Sequence, residues 1–141
     1  MTTNIFLGLG AVLSAVAALL HIGIIINGAS WYRFFGAGEQ FARAAERGER
    51  WQDVITLGIA LVLFAWAAYA LSGAGVISRL PLLRYALIII TAIYLLRGLV
   101  ILPMAIFSFD KVTPFWVWSS LICLGFGIVH AIGLAQVWRR I

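Results

Sequence analysis

The chain is poor in charge and in cysteine, and each shortage removes a class of protein. Of 141 residues only 11% are charged, with five acids against ten Lys and Arg. A soluble domain carries about a quarter of its residues as charges, so this surface is not built for water. The single cysteine, Cys123, excludes an intramolecular disulfide and a thiol-pair metal relay. It lies in a late apolar run and reads as a small buried hydrophobe. Also missing are a metalloprotease His-Glu pattern, a Gly-rich phosphate loop followed by Lys, and a Ser/His/Asp set at one depth. No regular arginine series of the voltage-sensor kind occurs. The net charge of +5 has no soluble basic face to carry it, so nucleic acid is not an expected partner.

What is present is apolar. Hydrophobic residues make up 64% of the chain and mean hydropathy is +1.07. Apolar stretches of about 20 residues match the bilayer core at 1.5 Å of rise per helical residue. A spanning β-barrel would alternate in segments of about 10 residues instead. The expected fold is an all-α integral membrane protein, an antiparallel four-helix transmembrane bundle forming one domain over residues 1–141. The lipid bilayer is its first partner.

Four spans are expected. The first covers about residues 5–26, after Thr2, Thr3 and Asn4 and before Asn27-Gly28. Ala15-Val16-Ala17 looks like a signal-peptidase site, but no basic segment precedes it and the apolar run continues, so an uncleaved anchor is expected. The second covers about 54–71 and the third about 82–102, between Pro81 and Pro103. The fourth covers about 115–137, with Thr113 as N-cap and Pro114 at the first helical position. Trp31, Trp51, Trp116 and Trp118 mark one membrane edge; Tyr85 and Trp138 mark the other.

Four spans put both termini on one side, with Arg79, Arg84, Arg139 and Arg140. The other side carries Arg33, Arg43, Arg47, Arg50 and Lys111, interleaved with acids. Basic residues therefore balance almost evenly, and cytoplasmic termini in a bacterial inner membrane are the expectation because several opposing arginines share one amphipathic segment. In that segment, about 39–47, Glu39, Arg43, Glu46 and Arg47 recur at helical spacing opposite Phe41, Ala44 and Ala45, with Gly48 to end it. It reads as a short interfacial helix. Its lead-in, Trp31 to Gly38, reads as a flexible connection or a partly re-entrant turn.

Small residues recur every fourth position at Ser119, Cys123, Gly127, Ala131 and Ala135, and at Gly10, Ser14 and Ala18. Such stripes let helix backbones approach closely in lipid, so spans one and four are expected to be neighbours, or one stripe to form a homodimer interface.

The intramembrane polar inventory is small: His21, His130, Arg97 and a few hydroxyls. A haem shared by the two histidines fails on depth, since His21 lies about 24 Å from the terminus side and His130 about 9 Å from it. No cofactor and no metal are expected. Arg97 is the informative residue, because an ionised side chain inside a span costs about 2.5–3.5 kcal/mol and usually faces a partner, a cavity or a ligand. By helical rise it sits about 22 Å from the terminus side, level with His21. The expected ligand-binding set is Arg97, His21 and Tyr94, capped by Glu39 or Asp53 at the membrane edge. Three readings compete: Arg97 pairs internally with Asp53 or Glu39, it binds the anionic end of a small ligand, or it reaches out to the headgroups. The preferred expectation is a non-enzymatic protein that binds, and as a dimer transports, a small anionic or amphipathic molecule. Alternatives are an accessory subunit of a larger membrane complex and an embedded enzyme using His21 with Glu39 or Asp53 on a lipid or quinone.

Overall fold

A computed structural model describes residues 3–141; Met1 and Thr2, and with them the polar start expected at Thr2, lie outside the described residues. Every regular element among the described residues is helical: α1 Ile5–Asn27, α2 Ala29–Phe34, α3 Glu39–Glu46, α4 Trp51–Ala74, α5 Leu83–Leu99, α6 Ile101–Phe107, a 3₁₀ turn Phe109–Lys111, and α7 Pro114–Val137. Four helical stretches are long and apolar enough to cross a membrane: α1, α4, α5 with α6 (Leu83–Phe107), and α7. Their outer faces leave large apolar side chains exposed, among them Leu9, Leu19, Leu61, Ile89 and Leu96. Water would penalise such faces and lipid accepts them, so the chain is an integral membrane protein.

The third span outruns its expected end at Pro103. A break at Val100 separates α5 from α6, and Pro103 occupies the first turn of α6. There its missing N–H costs nothing, because the first four N–H groups of a helix have no intrahelical partner. The cap of α7 is as expected: Thr113 Oγ1 accepts from the Trp116 N–H at 3.4 Å, with Pro114 at the first position.

The chain divides into two compact units, passing between them within α1 and within α4. One unit is Ala15–Ala65. Its core is Ile24, Tyr32 and Ala42, with Trp31, Phe35 and Phe41 packed around them. Gly23 makes room for the Trp31 ring, which lies 3.1 Å from where a Cβ would stand. The segment expected as a plain lead-in thus contains a true helix, α2, anchored by buried Tyr32. Arg33 clamps α2 to α3, gripping Glu39 through Nε (3.0 Å) and Nη2 (2.8 Å) and Glu46 through Nη1 (2.7 Å). Gly48, at φ 73°, ends α3: its N–H donates to the Ala45 carbonyl and the Glu49 N–H to that of Ala44. That paired closure is the Schellman motif, and it needs the left-handed conformation glycine supplies.

The other unit comprises the residues up to Ser14 together with Trp66–Ile141. Its core is Leu7, Ala74, Leu83, Leu87 and Val137. Leu7 presses on Gly133, His130 on Gly10, and the Asn4 amide donates to Gln136 at 2.7 Å. The start of span one therefore packs along span four, through His130, Gly133 and Gln136 rather than through the span-four stripe. The span-four stripe serves several purposes, however. Gly127 faces Leu95 of α5, while Ala131 and Ala135 line an open groove.

Candidate functional site

The α5–α7 pair builds the site. A Cβ on Gly98 would lie 2.6 Å from the Leu124 nitrogen and 2.7 Å from its Cα. One on Gly127 would lie 2.9 Å from the Leu95 nitrogen. The two backbones thus touch at these glycines, as small residues in lipid permit. Arg97 directly precedes Gly98, so this approach sets its guanidinium against the first turns of α7.

There Arg97 Nη2 donates to Ser119 Oγ at 3.0 Å and Nη1 to Ser120 Oγ at 3.2 Å. The guanidinium carbon sits 4.7 Å above the Trp116 ring. All three partners are neutral. Within its unit the only acid is Asp110, which is not among the partners of Arg97. Two hydrogen bonds to a charged donor and one cation–π contact contribute about 1.5–3 and 0.5–2 kcal/mol each, enough to offset an insertion cost of about 2.5–3.5. They leave the positive charge uncancelled and three of about five N–H donors unassigned. Arg97 is half-buried.

The remaining expected site residues have these places. Tyr94 lies one turn before Arg97, and its hydroxyl shares a buried hydrogen bond of 2.9 Å with Ser14. Its ring packs edge-on against Trp66 and Phe126 and beside His130. His21, Glu39 and Asp53 belong to the other unit. His21 Nδ1 donates to the Ala17 carbonyl at 2.7 Å. Asp53 accepts from the Tyr32 hydroxyl at 2.9 Å and sits 3.6 Å from Arg50. Glu39 accepts from Arg33 and Arg43, and the Arg33 hydrogen bond, with that of Arg43 behind it, lowers its pKa from 4.5 to about 2. A carboxylate so held is a fixed counter-charge and a poor proton carrier.

Ser119, Ser120 and Trp116 were not expected as site residues. Ser119 read as a packing position, yet a Ser-Ser pair five residues into span four matches the depth of Arg97 six residues before Pro103. His130, fully buried, uses Nδ1–H on the Phe126 carbonyl at 2.8 Å, which leaves Nε2 bare as an acceptor. Among the described residues no three His, Cys, Asp or Glu side chains group as a metal site. Compared with models of protein families, with curated proteins and with solved structures, the chain matches none.

Proposed function

We propose that this protein binds a small anionic or amphipathic molecule at Arg97 and serves transport of that molecule rather than catalysis. The observation that carries the reading is the neutrality of everything that holds Arg97: two serine hydroxyls and an indole face. An arginine kept for structure alone is ordinarily matched by a carboxylate, because cancelling the charge removes the cost of burying it. Here the guanidinium is oriented and still positive, the state suited to receive a carboxylate or phosphate in two-point geometry. Ser119 and Ser120 fix the direction of the fork, and Trp116 covers one face. Tyr94 supports α5 beneath it through Ser14. The antiparallel arrangement of all four spans, the interfacial placement of α3, cytoplasmic termini in a bacterial inner membrane and a working homodimer belong to the same proposal. They rest on span lengths, on the amphipathic face of α3 and on the small-residue stripes.

Native mass spectrometry of protein from gently solubilised membranes tests this, with wild type beside Arg97→Ala and Arg97→Lys. A small-molecule adduct is expected on wild type, absent from Arg97→Ala and reduced in Arg97→Lys, which keeps charge but loses the fork. Bare protein in all three, or a copurifying protein partner indifferent to the variants, would overturn the proposal and favour an accessory subunit.

A further inference from the structure

We infer that the opposite end of the α5–α7 pair is a binding site for an anionic phospholipid. An open groove of 670 Å³ runs along this end of the pair. Its apolar stretch is formed by Ala131, Leu134 and Ala135, and its polar end by Gln136, Trp138 and Arg139. Arg84, in the first turn of α5, packs on Trp138 of that end. Its Nη2 donates to the Trp138 carbonyl at 3.0 Å, and its guanidinium carbon sits 4.1 Å over the Trp138 ring. The Arg84 Nε–H is buried and has no partner among the described residues. The groove is therefore graded, apolar along α7 and cationic where α7 ends.

Charge decides the occupant. Arg79, Arg84, Arg139 and Arg140 lie in the segments that begin α5 and end α7, and those segments contain no acid. Asp110, the only acid in this unit, lies in the connection that precedes the other end of α7. A protein partner would have to bring a strongly acidic face into the membrane edge. An anionic lipid is already there, with its phosphate at headgroup level and its chains at the depth of Leu134 and Ala131. Basic pockets between spanning helices recognise lipid phosphates in this manner, and tryptophan at the headgroup level is their usual companion. This site is independent of Arg97.

The test is native mass spectrometry of the full chain in detergent, titrated with phosphatidylglycerol, phosphatidylcholine or inorganic phosphate. Phosphatidylglycerol is expected to stay bound through activation that strips phosphatidylcholine. Arg139→Gln, an exposed position, should weaken its retention about fivefold, at about 1 kcal/mol per basic residue. Arg84→Gln with Arg139→Gln should abolish the preference. Ala135→Leu should lower retention with every arginine in place, because it fills the groove. Arg97→Ala should leave retention unchanged, which separates this site from the one proposed above. Equal retention of the two lipids would overturn the inference. So would displacement of phosphatidylglycerol by inorganic phosphate alone, or indifference to both Arg139→Gln and Ala135→Leu.

Discussion

In the unit of Ala15–Ala65, Arg33, Arg43, Arg47 and Arg50 stand against Glu39, Glu46, Glu49 and Asp53, and all eight take part in ion pairs. In the other unit Arg79, Arg84, Arg97, Lys111, Arg139 and Arg140 share one acid, Asp110. There the two arginines of α5 lie on the indole rings of Trp116 in α7 and Trp138 just after it, one near each end of the helix pair, and donate to hydroxyls or a carbonyl. The contrast separates charge used to fold from charge left available. Exposed pairs in the first unit hold two short helices together. Neutral cradles in the second orient cations without cancelling them, and the helices beneath are held by close backbone approach.

If that approach carries the second unit, breaking it should give the largest effect. Gly98→Ala forces a Cβ into the Leu124 backbone, which has no flexible end to yield. A loss of about 1–3 kcal/mol is expected, as for other overpacked sites, with release of Arg97 from its serines. Gly125→Ala is the matched control, since a Cβ there meets open space. It should be neutral or stabilise by up to about 1 kcal/mol, because alanine is the better helix former. Thermal unfolding of both in one detergent checks the pair, and equal losses would remove close packing as the cause.

The first unit should instead yield to loss of one hydroxyl. Tyr32 is 1% exposed, and its O–H donates to Asp53 and lies 3.1 Å from Thr56 Oγ1. Burial, the largest influence, and the neighbouring Asp53 hold its pKa above 10.0, so it stays a donor. Tyr32→Phe keeps the ring in its place and removes the bond to a carboxylate, at a cost of about 1.5–3 kcal/mol. Amide exchange should quicken in α2 and α3, and Arg97 ligand retention should not change. Unaltered exchange would mean that the ring alone anchors α2.

Much of this was legible in the sequence because it is local. Span lengths follow from runs of apolar residues, the α7 start from Thr113-Pro114, and the α3 end from Gly48. Three features were not. α2 is six residues long, too short for periodicity to reveal, and exists because Tyr32 and Trp31 pack on Ile24 and Gly23. The continuation through Pro103 depends on where the helix restarts, which places proline harmlessly in a first turn. The partners of Arg97 depend on how α5 and α7 are rotated against each other. Sequence fixes which residues share a face, here Tyr94 and Thr91 near Arg97, but the contact is chosen by Gly98 and Gly127, whose close approach turns Ser119 and Ser120 toward the guanidinium.

The smallest expected effect is also the most selective. Arg33, and after it Arg43, hold the Glu39 pKa at about 2, below the ordinary 4.5, and Arg33 likewise lowers that of Glu46. A carboxylate with a depressed folded-state pKa stabilises the folded form above its unfolded value and loses that contribution as pH falls through the folded one. The α2–α3 clamp should therefore loosen between about pH 4.5 and about 2, and not above it. Because these pairs are exposed, molar salt, with a screening length of about 3 Å, should weaken the clamp at neutral pH as well. In the second unit Arg84 and Arg97 are held by hydroxyls, a carbonyl and indole rings, none of which titrates in this window. Hydrogen exchange followed segment by segment down this pH range should show Glu39–Glu46 opening while Leu83–Leu99 stays protected. Simultaneous opening of both would mean that the acid network supports the whole chain, and the division between charge that folds and charge that binds would fail.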